Sequence, residues 1–160
     1  MALFLLLISN KRKTMSRHVV TTSVKIKATP TEVWDALTNP EKTKKYFYHC
    51  EVFSTWKPGA DITFKGKMFF FINVELNGKI IEVMPNKLLK YSLKNGKEND
   101  EHAGTSIVTD TLNYEDGETI LSITDDVGDT EGADKRYERS VKGWDKILTD
   151  LKELLEDRDS

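Results

Sequence analysis

Cysteine, histidine and proline are scarce in this chain, with one, three and four among 160 residues. A lone cysteine, Cys50, excludes an intrachain disulfide and a cysteine-built zinc site, and it suits a reducing, cytoplasmic compartment. Three scattered histidines add little, so neither a metal nor another cofactor is expected. Charge of one sign is missing too: 24 basic against 26 acidic side chains leave a net charge of −2, with no broad field to hold nucleic-acid phosphates or anionic lipid. Long hydrophobic runs are absent. Leu3 to Ile8 is an apolar run of six, far short of the ~20 residues of a spanning helix, so no stable membrane insertion is expected. The basic cluster Lys11-Arg12-Lys13 follows that run, the reverse of a secretory signal. Residues 1–16 are therefore read as an extension outside the domain: either translation starts at Met15, or the segment is a loose tail that touches membranes weakly. No Gly-x-Ser-x-Gly, phosphate loop or dinucleotide fingerprint occurs.

What is present is a chain of 38% hydrophobic and 31% charged residues, sized for one globular domain over residues 17–157. From His18 to Lys27, Val20, Thr22, Val24 and Ile26 recur at period two, the mark of a strand. Thr29-Pro30-Thr31-Glu32 then opens a helix with a capping box, and Val33, Trp34 and Leu37 form its apolar stripe. Asn39-Pro40 ends it and starts a second short helix to about Tyr46. The middle is strand-rich: Glu51 to Thr55, Asp61 to Lys65, Met68 to Leu76, Ile80 to Val83 and Leu88 to Leu93. Met68, Phe70, Ile72, Val74 and Leu76 share one apolar face, and Gly78 reads as a bulge that bends a long curved strand. Asn95 to Gly104 is polar and reads as an exposed loop. Thr105 to Glu115 and Thr119 to Asp125 form a hairpin around Asp116-Gly117. From Ala133 to Asp157, Tyr137, Val141, Trp144, Leu148, Leu151 and Leu155 recur at helical spacing. Gly143 beside Trp144 points to a close approach between this helix and the sheet. The fold class is α+β: a one-sided antiparallel sheet of about six or seven strands, which only the long terminal helix can cover.

Four segments carry a family resemblance: ATPTEVWDALTNPE (28–41), WKPGADITF (56–64), GKIIEVMPNKLLKY (78–91) and GWDKILTDLKELL (143–155). Together they resemble the domain of the activator of heat-shock protein 90 ATPase homologues, within the START-like, birch-allergen-like superfamily. The resemblance implies a helix-grip fold, in which a curved sheet wraps the C-terminal helix and leaves a cavity for apolar ligands. The chain departs from the family at Leu93, where tryptophan is commoner, and at Leu88, where a polar or basic residue is.

No catalytic residue is singled out. His49 and Cys50 are neighbours, but adjacent strand side chains point to opposite faces, so they form no nucleophile–base pair. His18 and His102 read as solvated surface. Asp110 lies in register with Val108, Leu112 and Tyr114, and a carboxylate there needs a partner or water. It sits either at a wet rim or as a polar anchor inside an apolar pocket. The expected ligand-binding set is Trp34, Phe64, Phe70, Ile72, Val74, Tyr91, Val108, Asp110, Tyr137, Val141 and Trp144. The first half of the last helix is thinly apolar, which would leave that end of the cleft open. Trp56, Phe69 and Phe71, if exposed, would form a protein-contact surface. Three functions follow as expectations: binding of a small apolar or aromatic molecule between sheet and helix, regulation of a chaperone ATPase with the chaperone as partner, or a cyclase- or hydrolase-like reaction in the same cavity.

Overall fold

The computed structural model describes residues 18–69, 71–95 and 104–157. Strand β1 (Val19–Ile26) leads into helices α1 (Pro30–Thr38) and α2 (Pro40–Tyr46). Strands β2 (Cys50–Ser54), β3 (Asp61–Met68), β4 (Ile72–Met84), β5 (Leu88–Asn95), β6 (Gly104–Glu115) and β7 (Glu118–Asp126) follow, and helix α3 (Ala133–Glu156) closes the chain. The seven strands form one curved antiparallel sheet in the order β1-β7-β6-β5-β4-β3-β2. Helix α3 lies across its concave face, packed on β1 and α2. This is the helix-grip arrangement.

Local chemistry explains the helix starts. Thr29 Oγ1 accepts from Glu32 N at 3.2 Å, and the Glu32 carboxylate accepts from Thr29 N at 3.2 Å, so two otherwise orphaned donors are satisfied. Asn39 caps α2 by accepting from Glu41 N at 3.0 Å. The core joins Ile26, Val33, Ile62, Leu89, Leu121 and Leu151, all essentially without exposure. Thr119 sits among them because its hydroxyl donates to Ala28 O at 2.7 Å.

Three expectations are corrected. The strand expected over Met68 to Leu76 does not exist as one element: the chain reverses inside it, and Met68 pairs with Ile72 across a hairpin. Phe69 takes a left-handed backbone (φ 52°) at this turn, which carries none of the usual glycine, asparagine or aspartate signals. Apolar alternation thus continued through a reversal. Second, Gly78 is not a bulge. The register shift falls between Ile80 and Glu82, whereas Gly78 marks a crossing of backbones: a Cβ there would stand 1.6 Å from the Ser92 carbonyl oxygen. Third, Gly143 makes room for the Tyr48 hydroxyl, 2.4 Å from where a Cβ would sit, rather than for the sheet. The expected loop at 96–103, with His102, and the expected extension at 1–16 lie outside the described residues.

Candidate functional site

The buried stripe of α3 changes composition at Trp144. Beyond it, Ile147, Leu148, Leu151 and Leu155 pack on the sheet. Before it, the covered positions are Ala133 and Arg136, with Ser140 half-buried, while Tyr137 and Val141 are 37% and 42% exposed. Tyr137 stands on the flank of the helix, edge-on to His18 with ring centroids 6.2 Å apart. Two kinds of space result. Under the apolar half only a void of about 20 Å³ remains, bordered by Tyr46, Phe64, Tyr91, Asp110 and Trp144, and such a volume holds about one water. Beside the polar half an open cleft of about 250 Å³ runs along the helix.

Phe47, Leu76, Leu93, Val127, Trp144 and Ile147 supply the apolar walls of the cleft. Tyr48, Ser106, Asp125, Arg136, Arg139 and Ser140 supply its polar groups, and Gly143 completes the helix side. Asp125 fastens the helix to the sheet: its Oδ2 accepts from Trp144 Nε1 at 2.9 Å and from Ser140 Oγ at 2.5 Å. Arg136 is committed to the loop before the helix. Its guanidinium donates to Val127 O at 3.2 Å, Glu131 O at 2.8 Å and Thr130 Oγ1 at 2.9 Å.

Asp110 is 3% exposed, so it lies inside the core and not at a wet rim. The register sets Asp110 opposite Ile123 and Val108 opposite Asp125, which makes the two aspartates diagonal neighbours on one face. Neither Asp110 Oδ1 nor Asp125 Oδ1 has a hydrogen-bond partner among the described residues. Burial first, then the charge of Asp125, pushes the Asp110 carboxyl up to about 8, so at neutral pH it is mostly the uncharged acid. Burial raises the Tyr46 and Tyr91 phenols as well, and Tyr46 Oη donates to Ala36 O at 2.7 Å.

Of the residues expected at the site, Phe64, Tyr91, Asp110 and Trp144 come together around the small void, and Trp144 also faces the cleft. Val108 is buried in the core, and Trp34 and Val74 are partly buried against it. Ile72, 47% exposed, stands at the β3–β4 turn, away from both spaces along with Tyr137 and Val141. Phe70 lies outside the described residues. Sequence reasoning left Asp125, Ser140 and Arg139 out of the set. For Asp125 a signal existed, since Leu121, Ile123 and Asp125 alternate as Val108, Asp110 and Leu112 do.

Elsewhere the titratable groups are structural. His49 precedes β2 in a left-handed turn (φ 58°), while Cys50 is fully buried and its thiol is pushed up by that burial, which removes it as a nucleophile. His18 bridges Asp129 at 3.2 Å and Asp134 at 2.6 Å, and these bonds raise its pKa. Among the described residues no group of three or more His, Cys, Asp or Glu side chains could hold a metal, and no helix is long and apolar enough to cross a membrane.

A curved antiparallel sheet gripping a long C-terminal helix, with a cleft along that helix, defines an α+β helix-grip protein of the START-like class. The chain belongs to the family described as Activator of Hsp90 ATPase homolog 1-like protein, whose family model matches residues 27–156. Solved structures agree. The protein MLL2253 from Mesorhizobium loti superposes with a TM-score of 0.74 at 22% identity, over 89% of this chain and 99% of that one. ChR145 from Cytophaga hutchinsonii is 30% identical, with a TM-score of 0.68 over 88% of this chain and 94% of that one. The Aha1 dimer from Colwellia psychrerythraea is 18% identical, with a TM-score of 0.68 over 89% of this chain and 98% of that one. No match is found among curated proteins.

Proposed function

We propose that this protein binds a small, largely apolar molecule in the cleft beside the first half of α3. The observation that carries the reading is the open space of about 250 Å³ against Trp144, with apolar walls and a few polar groups at one side, the composition of a small-molecule site. The guest sits in that lateral cleft and not under the centre of the helix, where room for only about one water remains. A Trp34→Phe/Trp56→Phe background leaves Trp144 as the reporting fluorophore. Titrated with decanol, 1-naphthol and 4-hexylphenol, its emission is expected to change saturably with at least one of them, and Gly143→Leu, which narrows the cleft, is expected to weaken that response. No saturable change with any of the three removes the reading.

A second reading, regulation of a chaperone ATPase, is favoured by one observation: Phe69 and Phe71 at the β3–β4 turn are 70% and 78% exposed. Isolated aromatics at such exposure serve as contact anchors when a partner covers them. The expected result is a change in ATP turnover by an Hsp90-type chaperone when the protein is added, lost in Phe69→Ser/Phe71→Ser. Unchanged turnover with the unmodified protein excludes this reading.

A further inference from the structure

Three charged side chains line the cleft: Asp125, Arg136 and Arg139. They are not equally free to meet a guest. The Asp125 carboxylate already accepts from the Trp144 indole and the Ser140 hydroxyl, and with 6% exposure it presents little to a molecule in the cleft. Arg136, 8% exposed, keeps its charge at the cleft while its N–H groups serve backbone carbonyls and Thr130. Neutral carbonyl partners leave that positive charge uncancelled. Arg139 is exposed on the cleft side of α3 and makes no ion pair among the described residues.

The surroundings have the same sign. Over the helical stretch 133–143 there are four basic residues, Lys135, Arg136, Arg139 and Lys142, against two acidic ones, Asp134 and Glu138. Of the acidic pair, Asp134 is turned to His18 at 2.6 Å. On the opposite wall the Tyr48 hydroxyl fits into the gap left by Gly143 and offers a further donor. An apolar trough with a guanidinium and a phenol at its polar side is matched by an apolar tail that ends in an anion. An ammonium would meet two guanidinium charges instead.

We propose that the cleft selects apolar carboxylic acids: the tail lies along Phe47, Leu76, Leu93 and Trp144, and the carboxylate accepts hydrogen bonds from Arg139 at the rim. This proposal rests on the ligand-binding reading above and narrows it to a chemical class. Arg139 is its specificity-determining residue. Because that side chain is exposed, its replacement leaves folding unaffected.

The test compares decanoate, decanol and decylamine, which share one tail, by Trp144 fluorescence and by calorimetry at neutral pH. Decanoate is expected to bind about tenfold more tightly than decanol, the scale of one charge-assisted hydrogen bond at a partly exposed site, and decylamine the most weakly. Arg139→Gln is expected to bring decanoate to the level of decanol while changing decanol little, and raising ionic strength should weaken decanoate alone. If decanoate and decanol bind alike, the cleft reading stands and the acid assignment fails. Tighter binding of decylamine likewise overturns the acid assignment. If none of the three binds, both readings fall together.

Discussion

Asp110→Asn is expected to stabilise the protein at pH 8 and to leave it nearly unchanged below pH 4. The folded carboxyl is held at about 8 by burial and by Asp125, against about 3.9 in an unfolded chain. Between those values the folded state keeps a proton that the unfolded state has released. Stability therefore falls as pH rises through this window, with a slope approaching about 1.4 kcal/mol per pH unit. Over the whole window the loss is roughly 5 kcal/mol, the work of ionising a group enclosed by Tyr46, Tyr91 and Leu89 beside another carboxylate. Asparagine keeps the shape and removes the proton. Urea unfolding of both proteins from pH 4 to 9 gives a difference curve in which all other titrating groups, His18 and Glu156 among them, largely cancel. A difference independent of pH would show that Asp110 is ionised in the folded protein.

Gly78→Ala is expected to cost about 4 kcal/mol or more, the range reserved for substitutions with no room to relax. The added Cβ would lie 1.6 Å from the Ser92 carbonyl oxygen and 2.6 Å from its carbon. Both belong to the backbone of β5, so relief requires prising apart the β4–β5 ladder. Gly143→Ala is the instructive control. Its Cβ would also be too close to a neighbour, 2.4 Å away, but that neighbour is the tip of the Tyr48 side chain, which is 39% exposed and can swing outward. Alanine also gains about 1 kcal/mol of helix propensity, so the net change there should be small. Denaturant midpoints of the two variants measured side by side decide the matter, and similar losses at both sites would contradict the account given for Gly78.

The elements with strong local chemistry were legible in the residues themselves. The capping box at Thr29 and Glu32, the Asn39-Pro40 break and the Asp116-Gly117 turn each fix backbone conformation within a few residues, and each occurs where its chemistry requires. The β3–β4 reversal was not legible. A turn made of phenylalanines keeps the alternation of a strand, and pairing with β2 and β5, not local preference, holds it. Asp110 was visible as an anomaly in its alternation pattern, yet that pattern is the same for a wet rim and for a buried acid. Burial by α3 made the choice.

The candidate site shows the same division. Trp144 could be placed on the inner face of a helix from spacing alone, and the thin apolar content before it pointed to the open end. The groups that meet Trp144 there come from far along the chain: Phe47 and Tyr48 after α2, Leu93 on β5 and Asp125 on β7. No local pattern brings them together.

The chain alone therefore determined that a one-sided antiparallel sheet would be covered by its terminal helix, because side-chain period and turn chemistry act over short distances and survive without tertiary context. Only the folded molecule decided where space would remain. That depends on how far α3 stands from each strand beneath it, and the distance is set by which side chains, remote in sequence, fill the gap: leucine and isoleucine close it along one half of the helix, while serine, arginine and glycine leave it open along the other.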